Sequence, residues 1–253
     1  MTGLSISKLS KSFGGVQAVK GVSFDVKPGE LVALIGPNGA GKSTTFNMIN
    51  GQLAPDEGDV VLQDRSLVGL SPQQIWRQGV GRTFQTAAVF GSMSVLENVQ
   101  TVLMSHDRRF AALFARAQRY RREQAMALLE QLDLAHLAEH GCQNLAYADI
   151  KRVELALALA SEPQWLLMDE PTAGMAPAER QALMTLTQAL AKQRQIGVLF
   201  TEHSMDVVFG YADRVLVMAQ GQLIASGTPT EIQANEAVQA VYFGRQPVAR
   251  PSA

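Results

Sequence analysis

The strongest chemical signal in the chain is the run Gly36-Pro37-Asn38-Gly39-Ala40-Gly41-Lys42-Ser43-Thr44. Glycine, four residues, then Gly-Lys-Ser/Thr is the spacing of a phosphate-binding loop. Glycines let successive backbone N–H groups turn toward one anion, and a helix starting at the end of the loop adds the positive end of its dipole. In that setting Lys42 supplies a point charge for the β- and γ-phosphates, and the Ser43 hydroxyl is a ligand for Mg²⁺. With glycine at about 7% of residues, a chain of this length carries the pattern by accident on the order of once in a hundred. A second run, Trp165-Leu166-Leu167-Met168-Asp169-Glu170-Pro171, is apolar and ends in two adjacent carboxylates. From the end of a buried strand, Asp169 would face the loop and hold Mg²⁺ through water, and Glu170 would reach an attacking water. An acidic turn after a buried strand is common; the glycine loop is what gives this one its meaning.

These groups need elements to hold them. Leu31 to Ile35 is short, continuous and apolar, as a strand buried on both faces should be, and Gly36 ends it. Helical spacing follows from Lys42 to Asn50, with Gly51 as a stop. Before this unit, alternation in Leu4 to Leu9 and Val22 to Val26 predicts half-exposed strands, closed by a Pro28-Gly29 turn. From about Ser92 to Ala160 the alternation disappears, and helical periodicity runs through Val95 to Leu103, Ala117 to Leu132 and Ile150 to Ala160. Strand signals return at Trp165 to Met168, Gly197 to Thr201 and Arg214 to Met218, separated by a helix from about Ala178 to Gln193 and a shorter one after Ser204. The expected fold is α/β, a parallel sheet with helices on its faces, interrupted by a helical insertion. Residues 1–244 read as one domain, with a core over about 1–91 and 161–220 and the helical part over about 92–160; residues 245–253, with two prolines and no periodicity, read as a frayed tail.

Composition narrows the function. The 253 residues carry 22 Lys plus Arg against 23 Asp plus Glu, a net charge of −1, so no overall field holds the molecule on nucleic acid or anionic lipid. A single cysteine, Cys142, forms no internal disulfide and reads as a buried bystander in a reducing compartment. His106, His136 and His140 form no ligand cluster. Neither a signal-like start nor a run of 18 apolar residues is present, so the chain is expected to be soluble, or peripheral to a membrane through a partner.

With both runs in view, the chain resembles the ATP-binding cassette (ABC) ATPases over nearly its whole length, because further motifs follow in that family's order. Gln85, in Gly81-Arg82-Thr83-Phe84-Gln85, matches the Q-loop glutamine that touches Mg²⁺ and senses the transmembrane partner. His203, in Phe200-Thr201-Glu202-His203, matches the switch histidine that contacts the γ-phosphate. Ala173-Gly174-Met175-Ala176 occupies the D-loop position, and Phe13 corresponds to the aromatic that stacks on adenine. The resemblance implies a P-loop NTPase cassette with an N-terminal antiparallel β-subdomain and an inserted α-helical subdomain, ATP and Mg²⁺ as ligands, and Glu170, His203 and Gln85 as the catalytic set.

One segment departs from the family. Its signature is usually Leu-Ser-Gly-Gly-Gln, which binds the γ-phosphate held by the opposite subunit; here the aligned residues are Leu145, Ala146, Tyr147, Ala148 and Asp149. Ala146 has no hydroxyl to donate, and Ala148 puts a methyl group where a glycine backbone would approach most closely. Losing one hydrogen bond to a charged group costs roughly 1.5 to 3 kcal/mol, about ten- to a hundredfold, which leaves a weakened composite site; a dead one is the other reading.

Within the family, Gly81 to Gln85, Pro171-Thr172-Ala173-Gly174-Met175-Ala176-Pro177, Thr201 to Val208 and Gly227-Thr228-Pro229 resemble the ATPases of branched-chain amino acid, amide and urea importers. The implied partners are a second, often different, ABC ATPase, two permease subunits and, indirectly, a periplasmic binding protein, with the cassette on the cytoplasmic face of the inner membrane. Six arginines between His106 and Glu123, interleaved with Phe110, Leu113 and Phe114, form either a solvated helix or a basic amphipathic one near lipid headgroups. The alternatives are a lipid or other export ATPase of the same fold, and a soluble ABC ATPase acting on nucleic acid or ribosomes. The second usually carries two cassettes or coiled-coil inserts, which this chain lacks.

Overall fold

A computed structural model describes residues 3–83, 89–107 and 120–243. Two sheets form its frame. The first is antiparallel, in the order β2 (Val16–Val26), β1 (Leu4–Phe13), β4 (Glu57–Leu62), β5 (Arg65–Ser66). The second runs β10 (Gln222–Gly227), β9 (Arg214–Ala219), β3 (Leu31–Ile35), β8 (Gly197–Thr201), β7 (Trp165–Asp169), β6 (Val80–Thr83). Within it β9, β3, β8, β7 and β6 are parallel, and β10 is an antiparallel edge.

Alternation explains why the central strands read as continuous apolar runs. Val32 and Leu34 of β3, Trp165 and Leu167 of β7 and Leu199 of β8 point into a core shared with the antiparallel sheet. Their neighbours Leu31, Ala33, Ile35, Leu166, Met168, Val198 and Phe200 point the other way, into a core built with the helices. A strand covered on both faces has no polar face to show.

The helices follow as α1 (Lys42–Ile49), α2 (Pro72–Arg77), α3 (Val95–His106), α4 (Arg122–Gln131), α5 (Tyr147–Ala160), α6 (Pro177–Arg194), α7 (Met205–Tyr211), α8 (Pro229–Ala234) and α9 (Glu236–Phe243). Between β6 and β7 the elements among the described residues are helices and short 3-10 turns, with one isolated antiparallel bridge between Ser94 and Gly141, in keeping with the helical stretch expected there. No helix among the described residues is long and apolar enough to cross a membrane.

Several elements differ from expectation. β1 and β2 extend well past the alternating stretches, because their pairing is broken by register shifts and by positive φ at Lys8 and Gly21, which hide the period of two. β4, β5, β6 and β10 carry apolar signals too weak to mark them as strands in the sequence. α5 begins at Tyr147 rather than Ile150: Ala146 holds the extended conformation of an N-cap without a side-chain cap, and Asp149 in the first turn favours the helix dipole. Gly227-Thr228-Pro229 turns out to be a helix start, with Thr228 and Glu231 forming a capping box. The predicted helix from Ala117 is described only from Arg122; most of the arginine-rich stretch, Gln85 and residues 245–253 lie outside the described residues.

Candidate functional site

At the C-terminal end of the parallel strands is an open cleft of about 300 Å³. Residues Asn38 to Thr44 form one wall, Asp169, Glu170, Thr201 and His203 the other, and Phe13 with Ala18 the rim. This is where ligands bind in open α/β sheets, beyond the carboxyl ends of the strands.

The loop's shape depends on glycine at two points. Gly36 has φ 153°, and a Cβ there would lie 2.2 Å from the Met218 carbonyl oxygen; Gly41 has φ 102°, and its Cβ would lie 2.6 Å from the Ala18 carbonyl oxygen. Lys42 is 8% exposed, and its ammonium donates to the carbonyls of Gly36 at 2.7 Å and Pro37 at 3.2 Å. The loop is thus folded around its own cation. Burial pushes the Lys42 pKa below the usual lysine range, and the carboxylates of Glu170 and Asp169 oppose that shift. Ser43 is exposed at the head of α1, whose first N–H groups have no partner within the helix.

Opposite the loop, Asp169 closes β7. Its Oδ1 accepts from the Thr201 hydroxyl at 2.6 Å, and its Oδ2 lies 3.7 Å from the Arg82 guanidinium. The same guanidinium donates to Gln52 at 2.9 Å, and burial lowers its pKa while Asp169 raises it. Glu170 adopts φ 48°; its N–H donates to the Thr201 backbone at 3.2 Å and hydroxyl at 3.1 Å. His203 Nε2 lies 3.0 Å from Glu170 Oε1. A positive φ at a bulky residue is a strained conformation, and here it turns the carboxylate from the strand into the cleft.

Glu202 fixes this arrangement from below. Its carboxylate is 3% exposed and accepts four hydrogen bonds: the Thr172 N–H at 3.0 Å and hydroxyl through one oxygen, the N–H groups of His203 at 2.9 Å and Ser204 at 3.2 Å through the other. The turn after Glu170 and the loop presenting His203 are therefore clamped on one buried carboxylate. Glu202, Thr201, Thr172 and Arg82 have no role in the sequence reading, although all four lie inside its quoted motifs. The missing signal was burial, since an acid beside a histidine looks solvated until the fold encloses it.

Not every predicted site residue comes to this cleft. Phe13 is at its rim, 49% exposed, with the Lys11 ammonium 5.9 Å from its ring. Gly36, buried, and Pro37, exposed, begin the loop and are not among the residues lining the cleft. Leu145 to Asp149, at the head of α5, are not among the residues lining the cleft. Ala148 is 7% exposed and packed in the helical core, so Ala146 and Tyr147 are the exposed members of the segment.

Comparison with known proteins agrees with this geometry. Residues 19–173 match the family model described as ABC transporter. The chain belongs to that family. Residues 222–247 of the cassette match a second model, described as branched-chain amino acid ATP-binding cassette transporter. The cassette is 40% identical over 250 residues to the high-affinity branched-chain amino acid transport ATP-binding protein LivG of Escherichia coli, covering 95% of this chain and 97% of that one. It is 36% identical to the corresponding protein BraF of Pseudomonas aeruginosa over 248 residues, 95% and 97% of the two chains. The lipopolysaccharide export system ATP-binding protein LptB of E. coli is also 36% identical, over 244 residues, 96% and 98% of the two chains. A nucleotide-free ATP-binding cassette from an ABC transporter superposes with a TM-score of 0.85 at 32% identity, over 97% of this chain and 100% of that one. The ADP conformation of an ABC transporter cassette gives a TM-score of 0.84 at 33% identity, over 97% and 100% of the two chains. The cassette is an ATP-hydrolysing subunit of a membrane transporter.

Proposed function

We propose that this cassette energises an importer of branched-chain amino acids or related amides, as one of two ATPases bound to permease subunits on the cytoplasmic face of the inner membrane. The observation that carries the chemistry is the convergence of the glycine loop, Asp169, Glu170 and His203 on one cleft. The match at residues 222–247 favours the import reading over lipid export.

In this reading the loop from Gly36 to Thr44 and the head of α1 hold the polyphosphate, with Lys42 exchanging carbonyl partners for phosphate oxygens, while Phe13 stacks on adenine. Mg²⁺ fits the donors present. Ser43 and Asp169 offer hard oxygen ligands, and no cluster of three or more acidic, His or Cys side chains occurs among the described residues, so the ion would complete its shell with nucleotide oxygens and water. When bound, it neutralises charge on the phosphates. Gln85 belongs to the same set but lies outside the described residues. Glu170 takes a proton from water as the water oxygen bonds to the γ-phosphorus; the bond to the β-bridging oxygen breaks and ADP leaves. His203 holds the Glu170 carboxylate and contacts the γ-phosphate.

The signature residues Leu145, Ala146, Tyr147, Ala148 and Asp149 lie away from the cleft, so they serve the nucleotide of a facing cassette, and two cassettes close head to tail. An open apolar cleft of about 420 Å³, lined by Ile75, Trp76, Phe90, Val102 and Leu157 among others, supports a protein partner on another face. Residues 1–244 work as one ATPase domain, with the helical part over about 92–160. No nucleic acid is needed.

Glu170→Gln should keep ATP binding and lower hydrolysis about a hundred- to ten-thousandfold. Substantial residual turnover moves the base elsewhere. Uptake of radiolabelled leucine by membranes carrying the complete transporter tests the cargo, and ATP hydrolysis unaffected by loaded binding protein would favour export.

A further inference from the structure

Tyr147 stands where the family's usual signature has glycine, and its surroundings give it a second task. It is the first residue of α5 and 47% exposed, yet its hydroxyl donates to the Ala173 carbonyl, 26 residues away, at 3.1 Å. The ring lies against Gly174: a Cβ at that glycine, where φ is 78°, would be 3.5 Å from Tyr147 Cε1. The Lys151 ammonium, 5.5 Å from the ring centroid, holds the ring from its own helix. A tyrosine that only covers surface leaves its hydroxyl in water. This one aims it at a backbone oxygen.

The bonded turn is the one that carries Glu170. The Ala173 N–H donates to the Glu170 carbonyl at 3.1 Å, and the Met175 N–H to the Thr172 carbonyl at 3.2 Å. Thr172 is in turn gripped by Glu202. The turn therefore has two anchors, Glu202 on the switch-loop side and Tyr147 on the signature side.

We propose that Tyr147 is a positioning residue that couples the two nucleotide sites of the assembled transporter. The proposal rests on the reading that two cassettes close head to tail. In that arrangement the head of α5 engages the facing cassette's nucleotide, while Glu170 serves this chain's own. One side chain then joins them: a shift of the α5 terminus pulls on Ala173 and, through one more hydrogen bond, on the backbone of Glu170. A glycine at 147 has no such reach.

Tyr147→Phe keeps the ring and its contacts with Gly174 and Lys151 and deletes only the hydroxyl. In the full-length chain alone, amide hydrogen exchange over residues 172–175 should quicken by about two- to tenfold, the worth of one ordinary hydrogen bond. In the assembled transporter, kcat should fall by a similar factor and the ATP dependence should become less steep, while ATP affinity of the isolated chain stays unchanged. Unchanged exchange overturns the tether, and faster exchange with wild-type kcat and steepness overturns the coupling. A loss confined to KM makes the hydroxyl a nucleotide ligand and overturns the proposal too. If the wild-type assembly hydrolyses ATP with no pairing of cassettes, the head-to-tail reading fails and the coupling falls with it. A wild-type response of Tyr147→Phe in a pairing assembly removes the coupling alone.

Discussion

Replacing Glu202 by glutamine changes one oxygen for an NH₂ group in a site where all four partners are donors. Only the Thr172 hydroxyl can reverse its role and accept, so the new amide nitrogen must turn toward Thr172, whose N–H then loses its acceptor. Thr172 is 1% exposed, so water cannot replace that bond. A buried donor left unpaired costs about 1 to 3 kcal/mol, and weaker bonds to a neutral oxygen at His203 and Ser204 add to that, giving about 2 to 4 kcal/mol in all. For a chain of this size each kcal/mol shifts Tm by about 2 to 4 °C, so a fall of about 5 to 15 °C is expected in a thermal unfolding scan. Hydrolysis below the melting range should fall as well, because Glu202 sets the distance between Glu170 and His203. A variant that melts within about 2 °C of wild type and keeps its rate would show that the buried carboxylate does not organise the site.

Lys42 gives a pH test. Its pKa is lowered by burial, so it loses its charge below the range of an ordinary lysine. ATP affinity, measured in a Glu170→Gln background from neutral pH to about 10, should fall with rising pH before a free lysine titrates, and Lys42→Arg should lose that alkaline step. The stability contribution has the opposite sign: between the lowered pKa and the ordinary one the unfolded chain binds the extra proton, so this group's cost to folding is relieved as pH rises. Affinity flat across the window would refute the buried-cation account. At the signature, Ala146→Ser should cap α5 through the Asp149 N–H, stabilising by about 1 kcal/mol, whereas Ala148→Gly removes a packed methyl at a cost of about 0.5 to 1 kcal/mol. ATPase rate in the assembled transporter should rise with Ala146→Ser; an unchanged rate would show that the signature hydroxyl is dispensable here.

What the sequence disclosed and what it hid divide along physical lines. The glycine loop was readable because its requirement is conformational and local: φ values of 153° at Gly36 and 102° at Gly41, with backbone approaches of 2.2 and 2.6 Å, admit no other residue, so composition records them directly. The strands flanking the cleft were readable because burial on both faces forces unbroken apolar runs. The full lengths of β1 and β2 are hidden in the sequence because bulges erase the alternation that marks a strand, and the first turn of α5 is hidden because its N-cap is an alanine, which carries no capping signal. The polar scaffold was invisible for a different reason. Thr201, Glu202 and Arg82 differ from solvated residues only in what encloses them, and enclosure depends on strands and turns far apart in the chain. The hydrogen bond from Tyr147 to Ala173 is the extreme case, since neither residue type implies it. Local chemistry thus shows which phosphate-binding parts are present, while the groups that hold Glu170 at its strained φ come from long-range packing. Substitutions in the loop should therefore act mainly on binding, and those in the scaffold on turnover and stability together.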